Sequence, residues 1–128
     1  MAVVVFSRNA DKLLVSFECV GATVHVDHSC ELRGVKPPET LACSTLPISK
    51  RVKLDRKPMD LDGRTVTGMH SCSGKPGASV TLRFDIFEQV GNGKPRHLDG
   101  HKNLVLKLNA KGAGTKSRPY QLKAGPER

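Results

Sequence analysis

Two stretches of this 128-residue chain echo one another: GATVHVDHSC at positions 21 to 30 returns as GRTVTGMHSC at positions 63 to 72. Each copy ends with an imidazole and a thiol two residues apart, His28 with Cys30 and His70 with Cys72. Alternate residues of a strand share a face, so each copy can present both groups side by side. Val24 and Val26 lie on that face in the first copy and Val66 in the second. If the copies are neighbours in a sheet, His28, Cys30, His70 and Cys72 offer the thiolate and imidazole ligands of a tetrahedral Cys2His2 zinc site. No C-x2-C or H-x3-H spacing accompanies them, so the pattern is not that of a common finger.

The same residues admit plainer readings. Cys19, Cys30, Cys43 and Cys72 are an even set that permits two disulfides. Left unpaired, they pack as small hydrophobes beside hydrogen-bonded histidines. Packing is the reading adopted, with no cofactor expected and a zinc- or thiol-dependent protein kept as an alternative. A catalytic Cys would need a third group to orient its His and an oxyanion hole, and the sequence has neither a family-type context nor a nucleophile elbow. GNGKP at 91 to 95 lacks the rest of a phosphate-binding loop, and Asp55, Asp60 and Asp62 with Gly63 lack the distal Glu of a calcium loop. Enzymatic activity is not expected.

Charge supplies the second constellation. Net charge is −1 over residues 1 to 49, +3 over 50 to 89 and +7 over 90 to 128, out of +9 in all. A local excess of this kind attracts polyanions before any specific contact forms. Lys94, Arg96, Lys102, Lys111, Lys116 and Arg118 are therefore read as a basic C-terminal face for nucleic acid or an acidic protein surface. With four Phe, one Tyr and no Trp, base stacking is poorly supplied and phosphate contact is favoured. The run KRVKLD at 50 to 55 resembles a monopartite nuclear-import signal, which implies an extended, exposed segment.

The elements that would position these groups read as strands. Val3 to Phe6 and Leu13 to Cys19 look like a hairpin joined by SRNAD, and residues 22 to 28 form a third strand. Val52 and Leu54 alternate with Arg51 and Lys53. Val80, Leu82, Phe84 and Ile86 form an inward face against Thr81, Arg83, Asp85 and Phe87. Asp99 with Gly100 marks a bend, Leu104, Leu106 and Leu108 face inward, GAGTKSRP is a loop, and Tyr120 to Lys123 a last strand. The expectation is mostly β: one domain over 1–128, an antiparallel β-sandwich or barrel of about eight short strands, with basic loops in 90–128.

No apolar run approaches the roughly 20 residues of a membrane helix, and no signal peptide is read in the first residues, so a soluble cytoplasmic or nuclear protein is expected. The functional expectation is a non-enzymatic binding module for polyanions. A structural or assembly subunit, of virion, pilus-like or adhesive type, joining as a homo-oligomer through edge strands, is the alternative.

Overall fold

The computed structural model describes residues 1–21, 25–34, 39–43, 51–54 and 56–127, the side chains of 39–43 excepted. Nine strands are found among the described residues: β1 (Ala2–Phe6), β2 (Lys12–Gly21), β3 (His25–Arg33), β4 (Glu39–Cys43), β5 (Val52–Lys53), β6 (Thr65–Ser73), β7 (Ser79–Gln89), β8 (Arg96–Lys107) and β9 (Ala113–Ala124). One 3-10 turn at Pro58–Leu61 leads into β6. The strands form a five-stranded sheet, β1-β9-β6-β3-β4, and a four-stranded sheet, β5-β2-β7-β8. Both sheets have free edges, so the architecture is a sandwich and not a barrel. No helix among the described residues is long and apolar enough to cross a membrane.

Strict alternation decides which side chains fill the space between the sheets. β2 buries Leu13, Val15, Phe17 and Cys19, while β7 buries Val80, Leu82, Phe84 and Ile86, on the faces that the sequence periodicity predicts. β3 turns Val26, His28, Cys30 and Leu32 inward, and β6 does the same with Val66, His70 and Cys72. Buried apolar residues fall into two clusters. One contains Phe6, Phe17, Cys30, Val66, Phe84 and Tyr120, the other Cys19, Val26, Cys72, Leu82 and Leu106. Gly68 belongs to the inward face of β6 because a Cβ there would lie 2.7 Å from the Phe84 ring.

Several expectations are corrected. β1 and β2 are not a hairpin: β1 pairs in parallel with β9, from Ala2 opposite Tyr120 to Phe6 opposite Ala124, and β2 belongs to the other sheet. SRNAD is the crossover between layers, held where the Ser7 amide donates to Glu88 Oε2 at 2.6 Å and the Asp11 amide to the Gln89 carbonyl at 2.8 Å. Asp99 and Gly100 do not end a strand, for β8 runs through them with register shifts against β7. GAGTKSRP is mostly strand. The turn is confined to 109–112, where Asn109 Oδ1 accepts the Lys111 and Ala113 amides at 2.9 and 3.1 Å and Gly112 adopts φ 73°. Pro119 is tolerated within β9 because β1 joins only from Tyr120, leaving that side of the ladder free. The third strand begins at His25, and residues 22 to 24 of the expected segment lie outside the described residues.

Candidate functional site

The pairing of β3 with β6 sets the geometry of the repeated His and Cys residues. His28 lies directly opposite His70, but antiparallel pairing sends the two copies in opposite directions, so Cys30 faces Gly68 and Cys72 faces Val26. The thiols are therefore four residues apart along the ladder, about 13 Å at strand rise, one in each apolar cluster. A single tetrahedral site cannot collect all four expected ligands, and no metal-holding group of three or more His, Cys, Asp or Glu occurs among the described residues. Cys19, Cys30 and Cys72 are buried and not disulfide-bonded, while the Cys43 side chain lies outside the described residues. Burial pushes the Cys72 thiol up to about 11, with Cys19 and Asp27 adding to the rise. A thiol so held is a poor nucleophile.

The structure assembles instead a row of rings. Tyr120 Oη lies 2.8 Å from His101 Nδ1, His101 Nε2 lies 2.8 Å from His70 Nε2, and His70 Nδ1 lies 2.9 Å from His28 Nδ1. Strands β9, β8, β6 and β3 contribute one member each, and Phe17 from β2 stacks on His28 at 5.1 Å. Burial holds His28 and His101 down to about 4 and His70 to about 3, the neighbouring histidines adding to the fall at His70 and Arg118 at His101. The rings are neutral at pH 7. A neutral imidazole has one donor and one acceptor, so the row carries a single polarity. If the Tyr120 hydroxyl donates to His101, each ring donates to the next, and His28 keeps its proton on Nε2. That nitrogen is buried with no hydrogen-bond partner among the described residues. The row divides the two apolar clusters and works as a buried structural network.

The six basic residues read as one C-terminal face are dispersed. Lys94 and Arg96 border a shallow hollow with Glu88 and Val90 at one end of β8. Lys111 sits in the turn beyond its other end, roughly 35 Å away by strand rise. Lys116 and Arg118 lie opposite His70 and Gly68 on β9, exposed where the inner face of that strand reaches the seam with β8. Burial raises the Tyr120 hydroxyl's pKa, and the positive charge of the nearby Arg118 opposes that rise. Lys102 alone lies on the broad outer face of the four-stranded sheet, beside Glu18, Val20, Thr81, Arg83 and Asn103.

That outer face holds the concentration of charge. By strand parity, and among the described residues, it carries Lys12, Arg51, Lys53, Arg83, Lys102 and Lys107 against Glu18 and Asp85. Arg83 Nε donates to Asp85 Oδ2 at 2.6 Å, and His97 Nε2 lies 2.8 Å from Asp85 Oδ1. The Arg51 guanidinium stands 4.6 Å from the centre of the Phe87 ring, and His97 meets the same ring edge-on at 5.5 Å. Sequence reasoning put Arg51, Lys53, Arg83, Asp85 and Phe87 on outward faces but gave Arg83, Asp85 and His97 no role. The available signal was R-x-D-x-F on the clearest strand, where an outward Asp and Phe between cations imply mutual cover. Of KRVKLD, Val52 and Lys53 are paired with β2 and Leu54 is buried, which removes the extended, free segment that an import groove needs; Lys50 and Asp55 lie outside the described residues.

The outer face of the five-stranded sheet differs. Among its described side chains, Asp27 and Glu31 balance Arg33 and Lys123, and the centre is Ser29, Thr65, Thr67, Met69 and Ser117. Comparison with protein-family models, curated proteins and solved structures finds no match to this chain.

Proposed function

We propose that this domain is a non-enzymatic binding module that takes a polyanion, a nucleic-acid backbone in the first instance, on the outer face of its four-stranded sheet. The observation that carries the reading is the contrast, among the described residues, between six basic and two acidic side chains on that face and the balanced charge of the opposite one. Phe87 is the aromatic ring on the face, and it is buried beneath Arg51 and His97, so contact falls to cations and phosphates and not to base stacking.

Binding of this kind is salt-dependent and weakly sequence-dependent. Neutralising Lys53, Lys102 and Lys107 together is expected to lower the salt slope by about one unit per lost phosphate contact, and neutralising Lys94, Lys111 and Lys123 to change it less. Fluorescence anisotropy with short DNA at about 50 mM salt and above measures both. Equal slopes in the two variants would remove the face from the proposal. Assembly through edge strands is favoured by a separate observation, the exposure of Met1, Val3 and Val5 on and beside edge strand β1. Light scattering that finds a stable oligomer, lost in Val3→Lys, supports that second reading.

A further inference from the structure

Asp85 is directed outward by strand parity, yet its side chain is only 5 % exposed, because Arg83 and His97 lie over it with 42 % and 43 % of their own surfaces open. An ionised carboxylate only accepts, so His97 Nε2 carries the hydrogen of its bond to Asp85 and Nδ1 is the ring's remaining nitrogen. Among the described residues neither Nδ1 nor the two terminal nitrogens of Arg83 has a partner. Phe87, two residues along the same strand, holds Arg51 beside them. Opposite Asp85 stand Ser16 and Gly100, which offer no bulk to cover the cluster.

We propose that Arg83, His97 and Arg51 form a discrete oxyanion site that receives one phosphate group of a phosphodiester chain, with Asp85 and Phe87 as the residues that position them. The inference rests on the polyanion reading and sharpens it to one place and one ligand group. A guanidinium already fixed through Nε keeps its two terminal N–H groups as a fork for phosphate oxygens and gives up less freedom on binding than a free lysine. His97, anchored to Asp85 through Nε2, lines the same space with Nδ1, a nitrogen that donates only when the ring carries both protons. The buried carboxylate lowers the local positive charge, so simple charge density would place a phosphate elsewhere on the face. Asp85 is useful to an anion site only by holding its cations in place.

That difference gives the test its sign. Asp85→Asn makes the face more positive, and charge density alone predicts tighter binding to short single-stranded DNA; the site predicts weaker binding, because Arg83 and His97 lose their anchor. Arg83→Gln and Lys53→Gln each remove one positive charge, and the site predicts a loss of about tenfold for the first, the size of one charge-assisted hydrogen bond, against about twofold or less for the second. Should Asp85→Asn fail to fold, the Arg83 and Lys53 pair decides. A second arm titrates the wild-type protein with inorganic phosphate and follows the His97 ring by NMR. A shift of that ring, abolished by Arg83→Gln, supports the site even if DNA is not bound at about 50 mM salt, a result that overturns the polyanion reading alone. DNA binding with equal losses in the two charge variants, or tightened by Asp85→Asn, overturns the site and leaves the polyanion reading standing. An unmoved His97 ring together with unbound DNA overturns both.

Discussion

The two sheets divide their polarity differently between the inner and outer layers. The five-stranded sheet sends His28, His70 and Tyr120 into the core and shows solvent a balanced surface rich in Ser and Thr. The four-stranded sheet packs Leu13, Val15, Phe17, Leu82, Phe84 and Ile86 inward, adds His101 and Glu88 to the buried polar groups, and carries the concentrated charge outside, with Asp85 buried under its own cations. Inward polarity works on stability and register. His28 and His70 meet only when β3 and β6 are paired as observed, and a slip of either strand by one residue would turn its own ring to solvent. Outward polarity is free to serve recognition, since surface substitutions seldom move stability by more than about 0.5 kcal/mol. The inward polar groups should therefore respond to acid and the outward ones to salt.

The largest effect expected is acid unfolding driven by the inward layer. An imidazole in the unfolded chain titrates near 6.5, whereas His28 and His101 are held to about 4 and His70 to about 3. Between those values the unfolded chain binds more protons than the folded one, so stability rises with pH across this window. It is fully present above about pH 6.5, declines as pH falls, and levels off below about 3. The three neighbouring groups are all shifted in the same direction, so their contributions to the acid response reinforce one another. Urea midpoints taken from pH 7.5 to 4 should fall steeply. In His28→Phe, which keeps an aromatic ring beneath Phe17 but removes a titrating group, the fall should be shallower. An unchanged profile in that variant would detach the row from the acid response.

Next in size is the difference between the two faces of β7. Leu82→Ala removes a fully buried side chain and should destabilise by about 2 to 5 kcal/mol, while Thr81→Ala on the outer face should stay within about 0.5 kcal/mol. Chemical denaturation measures both. Similar losses would mean that the outer face of this sheet is covered and could not be a binding surface.

These faces were legible because period-two alternation is a local property that a single strand displays unaided. The inward sets of β2 and β7, the inward placement of His28 and His70, and the outward Arg51 and Lys53 all follow from it. Partner choice is not local. Val3 to Phe6 and Leu13 to Cys19 gave a sound hairpin signal, yet β1 is captured by β9, more than a hundred residues away. β9 itself was hidden by its Gly, Ser, Lys and Pro content, which reads as loop when the single-sided pairing that tolerates it is unknown. The His and Cys echo made a shared site conditional on adjacency and carried no information on direction: two i, i+2 pairs converge on one metal only when their strands present them at the same level, and antiparallel pairing brings together one pair of like residues and parts the other. His101 and Tyr120 could not be joined to the row from sequence, since their strands complete it only through the packing of one sheet on the other. The basic residues failed as a face for a related reason. Closeness along residues 94 to 118 spans both ends of a twelve-residue strand and both sheets.

The smallest effect is also the one that separates the outer faces by sign. Like charges gathered on one surface repel, so removing some of them should stabilise slightly at low salt and do nothing once salt screens the interaction. Lys53→Gln with Lys107→Gln on the four-stranded sheet should raise the melting temperature marginally at about 10 mM salt, where the screening length is about 30 Å, and leave it unchanged at about 1 M, where it is about 3 Å. On the balanced sheet the corresponding change is Arg33→Gln, which breaks the exposed ion pair of Arg33 with Glu31. Such pairs contribute about 0 to 1 kcal/mol, so this variant should be neutral or slightly destabilised at low salt. Differential scanning calorimetry of the variants at both salt concentrations gives the comparison. Opposite signs at low salt that merge at high salt identify a face whose charge density is kept at a small expense in stability, as expected of a surface retained for a partner. The same sign on both sheets would make the basic face ordinary solvated surface, and the case for polyanion binding would then rest on the Arg83, Asp85 and His97 cluster alone.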